Sequence, residues 1–99
     1  DIFESRTSVR AFTDEPVAKS QVMALLRAAM LAPSACNQQP WRFYVIYDKS
    51  FNRRFVNQPY AAFGAKAPVL IVITYVTDCI VSEFAPIDAS CAAENLWLK

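Results

Sequence analysis

Two short polar segments carry the residue types that could do chemistry. The first is Arg6-Thr7-Ser8-Val9-Arg10. An extended backbone sends alternate side chains to one side, so Arg6, Ser8 and Arg10 would project together, two cations around one hydroxyl. Guanidinium matches phosphate oxygens bidentately, which makes the trio a receiver for a phosphate monoester. The same pattern also fits an exposed basic segment with an ordinary capping serine. The second segment is Pro33-Ser34-Ala35-Cys36-Asn37-Gln38-Gln39-Pro40-Trp41. Its amides offer donors and acceptors together, which suits the edge of a flat heterocycle bearing mixed N–H and C=O groups. The alternative is a loop whose amides satisfy its own backbone.

Other chemistries lack their parts. The chain has no histidine, so serine and cysteine triads and HExxH chemistry are without a base or ligand, and zinc is without its usual donor. Cys36, Cys79 and Cys91 are an odd set with no CxxC spacing. With no histidine to activate it, Cys36 reads as a small loop residue rather than a nucleophile. Gly64 is the only glycine, which removes the Walker A loop and the GxGxxG fingerprint. Any phosphate must then be held by side chains and helix ends. Ten basic and nine acidic residues leave a formal net charge of +1, no basis for a nucleic-acid or anionic-membrane partner. Arg53 with Arg54 reads as solvated surface.

The elements that must position the two segments follow from pattern and punctuation. Asp1–Ser5 opens as a short helix, and Thr13–Pro16 is a turn. Ser20 is a candidate cap for a helix running to Leu31, with Val22, Leu25, Leu26 and Ala29 on one face; Pro33 closes it. Trp41–Tyr47 alternates as a strand, with Trp41, Phe43, Val45 and Tyr47 facing one way. Asp48 caps a short helix carrying Phe51 and Phe55. Ala67–Val76 is a near-continuous apolar, β-rich run and reads as a strand buried on both faces. Asp88 is placed as the cap of a final helix, Ala89–Lys99.

A chain of 99 residues is a single domain, residues 1–99, and it buries only about 60–65% of its unfolded surface. Yet 55% of its residues are hydrophobic. The excess needs an outlet, either a subunit interface or more of a longer protein. Two strands are not self-sufficient in water, so the sheet is expected to be completed from outside the chain. The absence of a signal-peptide pattern, free cysteines and an apolar run of about ten residues, too short to span a bilayer, point to a cytoplasmic protein.

The two segments together resemble the opening of the FMN-dependent nitroreductase family. The resemblance rests on R-T-S-V-R-A-F, then L-L-R-A-A-M-L-A-P-S-A-C-N-Q-Q-P-W-R-F-Y-V-I, then K-A-P-V-L-I-V-I and I-D-A-S-C-A-A-E-N-L-W-L, in that order. It implies an α+β fold, a mixed sheet flanked by helices, of which this chain is the N-terminal portion. It implies a homodimer with two FMN sites at the subunit interface, each lined by both subunits. By position, Arg6, Thr7, Ser8 and Arg10 would hold the phosphate, ribityl chain and pyrimidine edge. Pro33, Ser34, Ala35 and Asn37 of the other subunit would border the isoalloxazine, with Gln39 nearby. Asn57 or Gln58 would reach the pyrimidine edge. The implied reaction is ping-pong: NADH or NADPH gives hydride to flavin N5, and a nitroaromatic, quinone or similar small aromatic acceptor takes the electrons. No catalytic side chain is required, in keeping with the missing histidine. Family chains continue past the last helix with further strands, basic residues and an extension that embraces the partner. The competing expectation is a non-catalytic flavin-binding or interaction module.

Overall fold

The computed structural model describes residues 1–99. Six regular elements follow one another, with 3-10 turns in the connections after α2, α3 and β2: α1 (Ile2–Ser5), α2 (Lys19–Met30), β1 (Trp41–Ile46), α3 (Lys49–Asn52), β2 (Leu70–Tyr75) and α4 (Ala85–Leu98). The two strands pair antiparallel, with Trp41 opposite Tyr75 and Ile46 opposite Leu70. The fold is therefore α+β, with a two-stranded sheet and helices packed against it.

The core lies where α2, α4 and the start of β1 meet. Ala29, Ala32, Trp41 and Ala92 are buried together, and Phe43, Cys91 and Leu96 pack on them. Alanines at 29 and 92, each fully buried, let the helices approach closely around one large indole. The Asn95 amide of α4 donates to the Ala28 carbonyl of α2 at 3.1 Å, tying the same two helices by a polar contact. The alternation expected over Trp41–Tyr47 holds as far as Val45, with Trp41, Phe43 and Val45 more buried than Arg42 and Tyr44. It fails at the end, where Ile46 is half-buried and Tyr47, beyond the strand, is exposed.

Three local expectations change. Helix α2 starts at Lys19, so Ser20 lies inside it; the N-cap is Ala18, whose N–H is accepted by the Gln21 side chain at 2.9 Å. A glutamine reaching back satisfies the orphan donor without a capping hydroxyl. Helix α4 begins at Ala85 with proline in its first turn, a position where the missing N–H costs nothing. Asp88 is therefore inside the helix and is not its cap. Strand β2 is half-buried over Leu70–Ile73 and exposed at Thr74 and Tyr75, not covered on both faces, because α4 is the helix that packs against it.

Asp48 does cap α3, accepting the Ser50 N–H at 2.9 Å. Hydrogen bonds from Ser50, with a smaller contribution from the Arg53 charge, hold its carboxyl below the usual carboxylate range. Asn52, fully buried, donates to the Ala67 carbonyl at 2.8 Å.

The surface is large for the mass. A compact monomer of 11.1 kDa exposes about 5,700 Å2; this chain exposes 7171 Å2. Its radius of gyration is 14.5 Å, against about 12.6 Å for a compact domain of this length. Phe3, Val9, Leu31, Tyr60, Ile80 and Trp97 are among the large hydrophobic side chains left exposed. That surface is the apolar excess read from the composition. No helix is long and apolar enough to cross a membrane.

Candidate functional site

The Arg6–Arg10 segment leaves α1 as extended, exposed chain. Its two guanidinium groups rest on different rings. Arg6 lies over Trp97 at 4.8 Å from the ring centroid, and Arg10 over Phe63 at 5.7 Å. Arg10 also donates to the Ser8 carbonyl at 3.3 Å. No carboxylate lies within ion-pair distance of either arginine. Ser8, Val9, Arg10, Phe63 and Trp97 line one shallow depression of about 220 Å3. Beside it, Arg6, Thr7 and Val9 line another of about 500 Å3, again with Trp97 in the wall. Trp97 thus lines both depressions while stacking with Arg6 alone, a role the sequence reading did not give it.

The second segment is held very differently. Between the end of α2 and the start of β1 the backbone enters the left-handed region three times, at Cys36 (φ 51°), Asn37 (φ 51°) and Gln39 (φ 49°). In a chain with one glycine, these positions fall to residues with a Cβ, at about 1–2 kcal/mol each and less for asparagine. Such a conformation persists only when its surroundings over-determine it. Ser34 Oγ accepts the Gln39 N–H at 3.1 Å, and turn bonds run from Asn37 N–H to the Ser34 carbonyl and from Gln38 N–H to the Ala35 carbonyl.

The main restraint comes from far along the chain. Asp88 of α4, 4% exposed, accepts the Ala35 N–H at 3.0 Å and the Gln38 amide at 2.8 Å. The Gln38 amide also donates to the Val81 carbonyl at 3.0 Å, and its oxygen accepts the Val81 N–H at 2.8 Å. Neither Gln38 nor Asp88 was singled out from the sequence as a site residue. A signal was present for Asp88. Ala85, Asp88 and Ala92 follow each other at spacings of three and four, which places a carboxylate on the buried alanine stripe of α4, and a carboxylate there must be hydrogen-bonded.

The remaining candidates are placed as follows. Pro33, Asn37 and Gln39 are exposed; Ser34 and Ala35 are half-buried. Asn57 and Gln58 lie exposed in the turn after the 3-10 segment Arg53–Phe55, and Gln58 N–H donates to the Phe55 carbonyl. None of the four principal depressions is lined by both the arginine segment and the Ser34–Gln39 loop. Cys36, Cys79 and Cys91 are free.

Comparison with known proteins bears on both segments. A model of the nitroreductase family matches residues 3–99. A relative from Archaeoglobus fulgidus, provisionally named NADH dehydrogenase/NAD(P)H nitroreductase, is 32% identical over 99 residues, covering 95% of this chain and 56% of its own. Among solved structures, a provisionally named NADH oxidase from Clostridium acetobutylicum gives a TM-score of 0.93 at 40% identity, over 99% of this chain and 60% of its own. A provisionally named nitroreductase from Desulfovibrio desulfuricans, solved in complex with FMN, gives 0.86 at 30% identity, over 98% of this chain and 58% of its own. The chain spans just over half the length of these relatives.

Proposed function

Since this chain belongs to the nitroreductase family, we propose that it carries part of the flavin site of an FMN-dependent oxidoreductase. The electron donor is NADH or NADPH, and the acceptors are nitroaromatics, quinones or similar small aromatic compounds. The observation that carries this reading is the pairing, on one chain, of two arginines without carboxylate partners and an amide loop held in a left-handed conformation.

The donor set fits FMN. Arg6 and Arg10 would neutralise the phosphate, with Thr7 and Ser8 supplying hydroxyls along the ribityl chain. Arg10 would also stand near the pyrimidine edge, where positive charge is favourable as negative charge develops. Pro33, Ser34, Ala35, Asn37 and Gln39 would border the ring, and Gln58 would approach the pyrimidine edge. When bound, FMN supplies two-electron exchange between a pyridine nucleotide and the acceptor. The side chains named here bind, orient and neutralise; none moves a proton.

A homodimer completes the proposal. The arginine segment and the loop line no common depression, which supports a site that takes one segment from each of two subunits. The exposed apolar surface gives the subunits something to bury. Free thiols suit the reducing environment of the cytosol. That same apolar surface also favours a second reading, a flavin-binding or interaction module without turnover.

The test is the visible absorption spectrum of the purified chain, with its cofactor released by heat and identified. Released FMN together with NADH or NADPH oxidation in the presence of a nitroaromatic supports the oxidoreductase. Released FMN without oxidation of either nucleotide supports the module. A colourless protein that takes up no added FMN excludes both flavin readings.

A further inference from the structure

Gln38 sits at the centre of the loop whose amides were read as a ligand edge, yet its side chain has little left to offer a ligand. An amide has two donors and one oxygen. Here the donors go to Val81 and Asp88, and the oxygen takes the Val81 N–H. Asp88, buried in α4, spends one oxygen on Gln38 and the other on Ala35. These bonds span 43 to 53 residues of sequence, so they fasten the loop to a different part of the fold. They also bracket the left-handed pair Cys36–Asn37, with Ala35 before it and Gln38 after it, next to left-handed Gln39.

We propose that Gln38 and Asp88 are positioning residues that act through the loop. They set the shape in which Ser34, Asn37 and Gln39 meet the flavin ring. The inference rests on the flavin reading above. Its physical basis is preorganisation: a loop already held in its bound conformation loses less freedom when a ligand binds. With the clamp broken, the left-handed residues relax and the ligand must order the loop itself.

Two single substitutions and their combination test this in the full chain. Asp88→Asn sets an amide N–H2 against either Gln38 or Ala35, donor against donor. Gln38→Glu sets a carboxylate against Asp88, acceptor against acceptor. Together they restore a donor–acceptor pair between positions 38 and 88, but a carboxylate oxygen at position 38 then faces the Val81 carbonyl in place of its donor, so recovery is partial. FMN affinity is read by quenching of flavin fluorescence well below each variant's melting temperature. The environment of the ring is read by visible circular dichroism, and the loop itself by hydrogen exchange at the Ala35 amide.

Each single variant is expected to weaken FMN binding about tenfold or more, alter the visible dichroism and speed exchange at Ala35, with far-ultraviolet dichroism retained. The double variant is expected to recover part of each. Gln38→Met, which keeps length but removes the amide, serves if Asp88→Asn does not fold. Wild-type affinity and wild-type dichroism in the single variants would overturn the inference. So would a double variant no better than the singles. A wild-type chain that takes up no FMN fails at the first step and overturns the flavin reading itself, which separates that failure from failure of the clamp.

Discussion

The Ser34–Gln39 loop and the Arg6–Arg10 segment solve the same problem, presenting polar groups at a surface, in opposite ways. The loop is ordered by this chain alone, through buried Asp88 and the side chain of Gln38. The arginine segment is exposed throughout and is steadied by cation–π contacts and one backbone hydrogen bond. An exposed cation–π contact is worth only about 0.5–1 kcal/mol. One half of the site is therefore preorganised by long-range polar contacts. The other leaves its cations exposed and without a carboxylate partner. This division suits the two ends of FMN, since a planar ring gains from a fixed edge whereas a phosphate is recognised by charge and tolerates adjustment.

The largest expected effect comes from removing the core side chain at the end of the loop. Trp41, 5% exposed in the core, directly follows the loop at the start of β1. Trp41→Ala should cost about 3–5 kcal/mol, read by urea unfolding, and should abolish FMN binding because the strand start that ends the loop loses its place in the core. A loss under about 1 kcal/mol would mean that the loop does not depend on this core. Arg6→Ala and Arg10→Ala should do the reverse. Each removes a charged hydrogen-bonding partner worth about 1.5–3 kcal/mol, a loss of roughly ten- to a hundredfold in FMN affinity by titration. Their effect on unfolding should stay within the small contribution of the cation–π contacts. Arginine variants that bind FMN normally would remove the phosphate role and dissolve the contrast between the two regions.

How far the two regions were legible in the sequence differs for the same physical reason. The strand alternation from Trp41 to Val45 is a local pattern with a fixed period and appears in the structure, whereas Arg6 and Arg10, expected to project together, rest on different rings and share no principal depression. The amide-rich loop was legible as composition, but its shape was not, because it is set by Asp88 and Val81, more than 40 residues away. Local reasoning made Asp88 a helix cap, since aspartate before an apolar run usually is one; Pro86 moved the helix start to Ala85 and carried Asp88 inside. Ser20 was misplaced because the helix begins one residue before it, at Lys19, with Ala18 as N-cap and no capping hydroxyl. The exposure of β2 could not be read from its residues, which are apolar enough for burial on both faces; what packs on the faces of the sheet decides it.

A gentler change sharpens the comparison from the loop side. Cys36 is exposed with φ 51°, so glycine there relieves left-handed strain of about 1–2 kcal/mol while freeing the unfolded chain by about 0.4–1 kcal/mol. Cys36→Gly should therefore stabilise the protein by up to about 1 kcal/mol in urea. Destabilisation would show that the loop carries no strain for the clamp to hold.

The smallest effect belongs to Asp48, which lies in neither region. Its carboxyl titrates below the ordinary value of 3.8 because hydrogen bonds from Ser50 favour the charged form. A group whose folded pKa is depressed adds stability that is fully present above the unfolded pKa and lost as pH falls through the folded one. Asn is also a good N-cap, so Asp48→Asn removes only the part due to charge. The variant should melt slightly below wild type at neutral pH, with the difference constant from about pH 5 upward and vanishing as pH falls below 3.8. FMN affinity at neutral pH should be the same in both proteins. If Asp48→Asn weakened FMN binding, general destabilisation would reach the site, and losses in the Trp41 or clamp variants could no longer be assigned to the loop. Unchanged affinity leaves those losses local, and the contrast between a clamped loop and a free arginine segment stands on measurements made in the same background.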